Sequence, residues 1–254
     1  MGNYLNPDIS AFARVVNSEI YVDKTGLIEY TNRSAKTLQS YICISRPRRF
    51  GKSIAANMLS AYYTCEYDSR ELFSNLKIAS SDSYEKHLNK YDVIFLNMQE
   101  FLSQSSNVEE MLSLLKKSVI WDLLDKYPDF RYFDETNLMR TLQDIYNKTK
   151  RPFVVIIDEW DVLIRDKAAD QKIQDEYIGF LRGLFKGTEP TKYIQLAYLT
   201  GILPIKKEKT QSALNNFDEF TMLSPGKLAQ YIGFTEEEVR ELSESYHQEF
   251  ESYA

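Results

Sequence analysis

The longest unbroken aliphatic and aromatic run in this chain is Phe153-Val154-Val155-Ile156-Ile157, opened by Pro152 and closed by Asp158-Glu159-Trp160-Asp161. It falls far short of the ~20 residues that cross a bilayer. It reads instead as a strand buried on both faces, which is what a parallel sheet covered by helices requires. Residues 41–45, 93–98 and 193–199 repeat the theme, and 217–223 is a candidate fifth strand. Helical spacing fills the gaps. Within 53–66 the apolar residues fall at 54, 55, 58, 59, 62 and 63, and within 108–126 Leu112, Leu115 and Val119 share a face. Helices are also expected over 136–148 and 168–185, the latter with Ile173, Tyr177, Phe180, Leu181 and Leu184 on one side. Thr25-Gly26 reads as a helix entry. Thr235-Glu236-Glu237-Glu238 reads as a capping box opening a last helix that runs to the end. Strand alternating with helix predicts an α/β fold.

Composition narrows the function classes. The chain has 254 residues, 43% apolar and 27% charged, enough for one large domain or two small ones with a real core. A net charge of −6 gives no whole-chain case for nucleic-acid binding, so any basic function must be local. Cys43 and Cys65 lie in apolar stretches and are expected as two buried free thiols in a reducing, cytoplasmic compartment. His87 and His247 are too scattered to build a zinc site. Residues 1–10 lack a basic start followed by an apolar stretch, so no secretory signal and no membrane partner are expected.

The informative place is Ser45-Arg46-Pro47-Arg48-Arg49-Phe50-Gly51-Lys52-Ser53, between a predicted strand and a predicted helix. A helix N-terminus offers free N–H groups and the positive end of a dipole, which suits phosphate. Gly51 would let the backbone approach phosphate oxygens, Lys52 would reach the β- and γ-phosphates, and the Ser53 hydroxyl would hold Mg²⁺. The strict pattern Gly-x-x-x-x-Gly-Lys-Ser/Thr fails at its first glycine, where Arg46 stands. Taken alone, Gly-Lys-Ser is weak. The strand ending in Asp158-Glu159 supplies the second half: Asp158 can hold Mg²⁺ and Glu159 can orient or deprotonate an attacking water. The plainer alternative is that two acids end a buried strand at the surface.

Arg46, Arg48 and Arg49 either match the charge of a triphosphate or form a solvated basic loop open to nucleic acid. Thr200 ends the fourth strand, where it could face the γ-phosphate or the water. Asn97 is a weaker candidate of the same kind. Arg182 and Lys186 could reach a neighbouring subunit's nucleotide, although a solvated helix face explains them as well.

These segments resemble a family. Tyr21-Val22-Asp23-Lys24-Thr25, the arginine loop, Ile157-Asp158-Glu159-Trp160-Asp161, Thr200-Gly201-Ile202-Leu203-Pro204-Ile205 and Asn215-Asn216-Phe217 are similar, in this order, to those of the bacterial AAA-ATPase-like domain proteins. The Arg-Pro-Arg-Arg-Phe-Gly-Lys-Ser loop is distinctive of that family. The resemblance implies a three-layer P-loop NTPase with a mainly parallel five-stranded sheet in the order 5-1-4-3-2. It implies ATP held along Arg46, Pro47, Arg48, Arg49, Phe50, Gly51, Lys52, Ser53 and Ile54, and Mg²⁺ at Ser53 and Asp158. Glu159, Lys52 and Thr200 are the implied catalytic set. Asp23 is given a base-side contact.

Residues 1–225 are expected to be the ATPase domain with an N-terminal extension, and 226–254 the start of a helical lid or linker. Family members commonly continue into a restriction-endonuclease-like nuclease domain. An effector domain beyond residue 254 and a homo-oligomer are therefore expected partners. The expected function is a Mg²⁺-dependent ATPase module coupling nucleotide state to a partner. The alternatives are a nucleotide-gated binding module without turnover, and a nucleic-acid contact through the arginine loop.

Overall fold

The structure is a computed structural model that describes residues 2–165, 171–205 and 214–246. Strands β1 (Tyr41–Ser45), β2 (Asp92–Asn97), β3 (Phe153–Asp158), β4 (Ile194–Gly201) and β5 (Asp218–Phe220) form one sheet in the order β2-β3-β4-β1-β5. From the other edge this is 5-1-4-3-2, as the resemblance implied. Every pairing is parallel. The described helices of seven or more residues are α1 (Ser10–Val16), α2 (Gly26–Ser34), α3 (Lys52–Tyr63), α4 (Val108–Lys126), α5 (Leu138–Thr149), α6 (Gln171–Phe185) and α7 (Glu236–Ser245).

The pleat sorts the strand side chains into two cores. Tyr41, Cys43, Phe153, Val155 and Ile157 meet α4, α5 and α6 on one face. Ile42, Ile44, Val154, Ile156 and Tyr198 meet α1, α2 and α3 on the other. All positions of β1 and β3 are therefore buried, each large aliphatic side chain contributing about 1.5–3 kcal/mol. That is why these segments read as continuous apolar runs rather than alternating ones.

Several boundaries differ from the sequence expectation, each for a local reason. Strand β2 stops at Asn97, because the Asn97 side chain accepts the N–H groups of Gln99 and Glu100 and starts a short helix at Met98. Helix α5 starts at Leu138 rather than 136. Asn137 caps it, and Asp134 holds both the N–H and the hydroxyl of Thr136. Strand β5 is shorter than 217–223: Phe217 turns into the core and Thr221 N–H closes a turn onto the Ser224 carbonyl.

The capping box at Thr235 and Glu238 forms as read. Cys43 is buried, but Cys65 is half-buried and sits among charges, so it is not the second apolar thiol expected. His87 is buried against the Tyr91 hydroxyl at 2.6 Å, and burial holds its imidazole below the usual range. Residues 168–170, His247 and the end of the last helix lie outside the described residues. Among the described residues no helix is long and apolar enough to cross a membrane.

Candidate functional site

Strand register brings the separate sequence segments together. Ser45 lies opposite Gly201, Ile44 opposite Thr200, and Asn97 opposite Asp158. The loop after β1, the acid pair after β3 and the end of β4 therefore share the carboxyl edge of the sheet, where open α/β folds bind ligands.

The loop turns sharply from β1 into α3. Arg49 and Gly51 both take left-handed backbone, with φ of 69° and 75°. Gly51 is the N-cap of α3 and gives it no side-chain cap, and a Cβ at Gly51 would meet nothing within 4 Å. The first N–H groups of the helix thus have no side-chain cap. Lys52 is 5% exposed, and its ammonium donates to the Pro47 carbonyl at 2.9 Å. Burial pulls its pKa below the ordinary lysine value. The carboxylates of Glu159, Asp158 and Asp161 pull it back up without overcoming that effect. Pro47, Arg48, Arg49 and Ser53 are exposed and Phe50 is half-buried.

Arg46, at the position of the missing glycine, is turned away from the loop mouth. Its guanidinium donates to the carbonyls of Ser45 and Phe220, at 3.1 and 2.9 Å, and it is buried. It ties the start of the loop to the edge strand β5. Of the three arginines, only Arg48 and Arg49 remain as surface cations.

The acids are held by a network. Asp158 Oδ1 accepts the Thr200 hydroxyl and the Glu159 N–H, the latter at 3.1 Å. Glu159 stands in left-handed backbone, φ 55°, and its carboxylate pairs with Arg165. Arg165 also donates to Asp161 Oδ2 at 2.9 Å, and that same oxygen accepts the N–H groups of Ile202 and Leu203 at 3.0 and 2.7 Å. Asp161 therefore stitches the end of β3 to the end of β4. Gly201 has to be glycine there: a Cβ would lie 2.6 Å from the Trp160 indole nitrogen and 2.8 Å from Asp161 Oδ1.

Beside the loop lies an apolar cleft of about 200 Å³. Tyr21, Val22 and Lys24 line it from the N-terminal segment, Ile54 and Met58 from α3, and Tyr231 and Phe234 from the C-terminal segment. A larger hollow, between α4, α5 and α6, is lined by neither the loop nor the acid pair.

Ser53 and Asp158 are the groups able to hold Mg²⁺: a hydroxyl and a carboxylate, hard oxygen donors of the kind this ion takes alongside phosphate. Among the described residues no group of three or more His, Cys, Asp or Glu could hold a metal by itself. The residues present fit a nucleotide as well. A nearly buried ammonium with a single neutral acceptor, at an uncapped helix N-terminus, still has donors to spend on an anion.

Two more sequence candidates prove occupied elsewhere, and two others lie exposed. Asp23 does not line the cleft; its oxygens accept the Thr25 N–H, the Thr25 hydroxyl and the Lys77 N–H, so it braces the fold. Asn97 spends its oxygen on a helix cap. Arg182 and Lys186 are exposed on the solvent side of the chain after β3. Asn216 and Phe217, in the last matching segment, are structural: the Asn216 amide donates to the Phe185 carbonyl at 3.0 Å and Phe217 is core. Sequence reasoning missed Arg165 and the cleft wall at Tyr231 and Phe234. A fourfold step from Asp161 to Arg165 within a short helix could have flagged the first. Nothing local marks the second, because it forms only when the C-terminal segment folds back.

A family described as predicted AAA-ATPase matches residues 8–210. An uncharacterised protein from the vnfD 5′ region of Azotobacter chroococcum mcd 1 is 22% identical over 236 residues, which is 91% of this chain and 43% of that protein. The chain thus spans less than half the length of this relative. Among solved structures, the Aeropyrum pernix ORC2 protein in its ADPNP–ADP complexes aligns with a TM-score of 0.50 and 13% identity, over 91% of this chain and 55% of that one. Cdc6p from Pyrobaculum aerophilum aligns with a TM-score of 0.39 and 12% identity, over 94% and 52% of the two chains.

Proposed function

We propose that this chain, which belongs to the predicted AAA-ATPase family, binds ATP with Mg²⁺ at the carboxyl edge of its sheet and hydrolyses the terminal phosphoanhydride. The family and the P-loop fold support a nucleotide-binding module. Mg²⁺ and turnover are the further steps. One observation carries the reading: the Lys52 ammonium, spent on a single carbonyl, is nearly buried beside three carboxylates at an uncapped helix N-terminus.

Residue roles follow from that arrangement. Gly51 and the first N–H groups of α3 bind the phosphates, and Lys52 exchanges the Pro47 carbonyl for phosphate oxygens. Arg48, Arg49 and Phe50 line the approach, and Arg46 holds the loop's root against β5. Ser53 and Asp158 would hold Mg²⁺, which when bound neutralises phosphate charge. Thr200 keeps Asp158 oriented through its hydroxyl. Glu159 orients the attacking water and accepts its proton, and to do so it exchanges its Arg165 partner. The base occupies the apolar cleft over Ile54 and Met58. Residues 1–225 act as the ATPase domain. Residues 226–246 act as a lid that couples nucleotide state to a partner or to a further domain of a longer protein.

The pairing of Glu159 with Arg165 favours a second reading, a switch that binds ATP without turnover. Phosphate release and calorimetry separate the two. Lys52→Ala should lose ATP affinity; Glu159→Gln should keep affinity and lose about 10²–10⁴-fold in turnover. Equal phosphate release by wild type and both variants overturns the ATPase reading. Tight ATP binding by wild type with no release establishes the switch.

A further inference from the structure

The segment Tyr21–Thr25 carries two charged residues that the function above leaves without a task, yet both side chains are fully engaged. Asp23 bolts the segment to the body of the protein. Its Oδ1 accepts the Thr25 N–H at 2.8 Å and the Thr25 hydroxyl at 2.6 Å, and its Oδ2 accepts the Lys77 N–H at 2.6 Å. Thr25, itself buried, accepts the Ile78 N–H at 3.1 Å. The strap that forms one wall of the apolar cleft is therefore rigidly seated.

Lys24 points the other way, to a segment more than two hundred residues on. Its ammonium pairs with Glu238, at 2.6 Å from Oε1, and donates to the Gln230 carbonyl at 2.7 Å. The two side chains are 16% and 18% exposed, so water competes only weakly for the pair. Glu238 is also the capping-box residue of α7: its Oε2 accepts the Thr235 N–H at 2.8 Å. One ammonium thus grips the C-terminal segment at two points. Between them run Tyr231, Gly233 and Phe234, which line the same cleft as Tyr21 and Val22.

We infer that Lys24 is a positioning residue for the base of the nucleotide: by tying the strap at Tyr21–Val22 to the segment at Tyr231–Phe234, it sets the width of the cleft between them. The inference rests on the nucleotide reading of this site. It assigns Lys24 no contact with the phosphates and no part in the chemical step. Gripping a planar base between preset walls avoids ordering them at the moment of binding, so affinity rises.

The test uses the full chain and compares ATP with inorganic tripolyphosphate by calorimetry. Tripolyphosphate presents the same anion without a base. Lys24→Met keeps the aliphatic stem and removes the ammonium. Glu238→Gln keeps an acceptor for the cap and removes the charge. Each should weaken ATP about tenfold, and leave tripolyphosphate unchanged. The double variant should lose no more than either single one. Amide hydrogen exchange across 226–246 in nucleotide-free protein should rise in both, a readout independent of binding.

Equal ATP affinity in wild type and Lys24→Met overturns this inference and leaves the nucleotide reading standing. So does an equal fall for ATP and tripolyphosphate, or unchanged exchange across 226–246. Wild-type protein that binds neither ligand removes the nucleotide reading and this inference together. Wild-type protein that binds both equally removes only the base cleft and the role of Lys24 in it.

Discussion

Two lysines at opposite ends of the same parallel sheet, one buried and one half-buried, are shifted in opposite directions. Lys52, at the carboxyl edge, is held below the ordinary lysine value: burial dominates, and Glu159, Asp158 and Asp161 only partly oppose it. Lys126, at the amino edge, is pushed above that value. Burial acts against it too, but its direct bonds to Glu66 and Asp92 outweigh the cost. The difference lies in contact. Asp92 opens β2 fully buried, and it accepts the Asn6 amide at 2.8 Å, the Tyr127 hydroxyl at 2.6 Å and the Cys65 thiol at 3.3 Å, with Lys126 at 3.2 Å. Both oxygens of that carboxylate are engaged. A satisfied buried network of this kind holds the fold together. An ammonium that, among the described residues, bonds one carbonyl keeps capacity for a ligand.

The first way to break this comparison is Asp92→Ala. It strips the buried Asn6 amide and the half-buried Tyr127 hydroxyl of their acceptor and leaves Lys126 with Glu66 alone, and the loss should be about 3–5 kcal/mol by urea unfolding. A loss below 1 kcal/mol would mean the amino-edge cluster does not stabilise the fold. Next in size is Gly201→Ala, which drives a methyl into Trp160 and Asp161. It should cost about 1–3 kcal/mol and reduce ATP affinity by displacing the acid pair. Unchanged stability would show that the carboxyl edge is loosely built.

The smallest effects lie in pH dependence, where the two lysines should have opposite slopes. Lys126 has a raised folded pKa. Its stabilisation is complete below about pH 10, near the unfolded value, and is lost as pH rises through the folded value. Lys52 has a lowered folded pKa. Its burial cost is complete below the folded value and is relieved as pH rises toward the unfolded one. Wild type should therefore lose its advantage over Lys126→Met at alkaline pH and gain on Lys52→Met. At the acid end, Asp92 is held below the ordinary aspartate value. Burial resists its ionisation, but the Tyr127 hydroxyl, Lys126 and Asn6 outweigh that. Its contribution persists above about pH 4 and fades as pH falls through the folded pKa. Parallel pH profiles for wild type and the two lysine variants would erase the distinction drawn between the two edges.

Much of this was legible along the chain. The apolar runs at Tyr41–Ser45 and Phe153–Ile157 specify strands buried on both faces, because nothing but a covered parallel sheet can hide both sides of them. The Gly-Lys-Ser step into α3 and the acids closing β3 mark one edge of that sheet, since parallel strands put all their carboxyl ends on one side. The capping box at Thr235 is read from spacing alone, since its bonds span only three residues.

Other features depend on partners far away in sequence. Arg46 reads as a phosphate ligand until β5 supplies the Phe220 carbonyl that takes its guanidinium. Asp23 reads as a ligand until the Lys77 N–H arrives to occupy it. Local pattern determined the strands, the helices and the type of chemistry available in this protein, because those follow from side-chain periodicity and short-range bonds. Tertiary structure alone decided which charged groups are already paired and which remain open. Pairing depends on distances between segments such as Lys24 and Glu238, whose 214-residue separation no local pattern can encode.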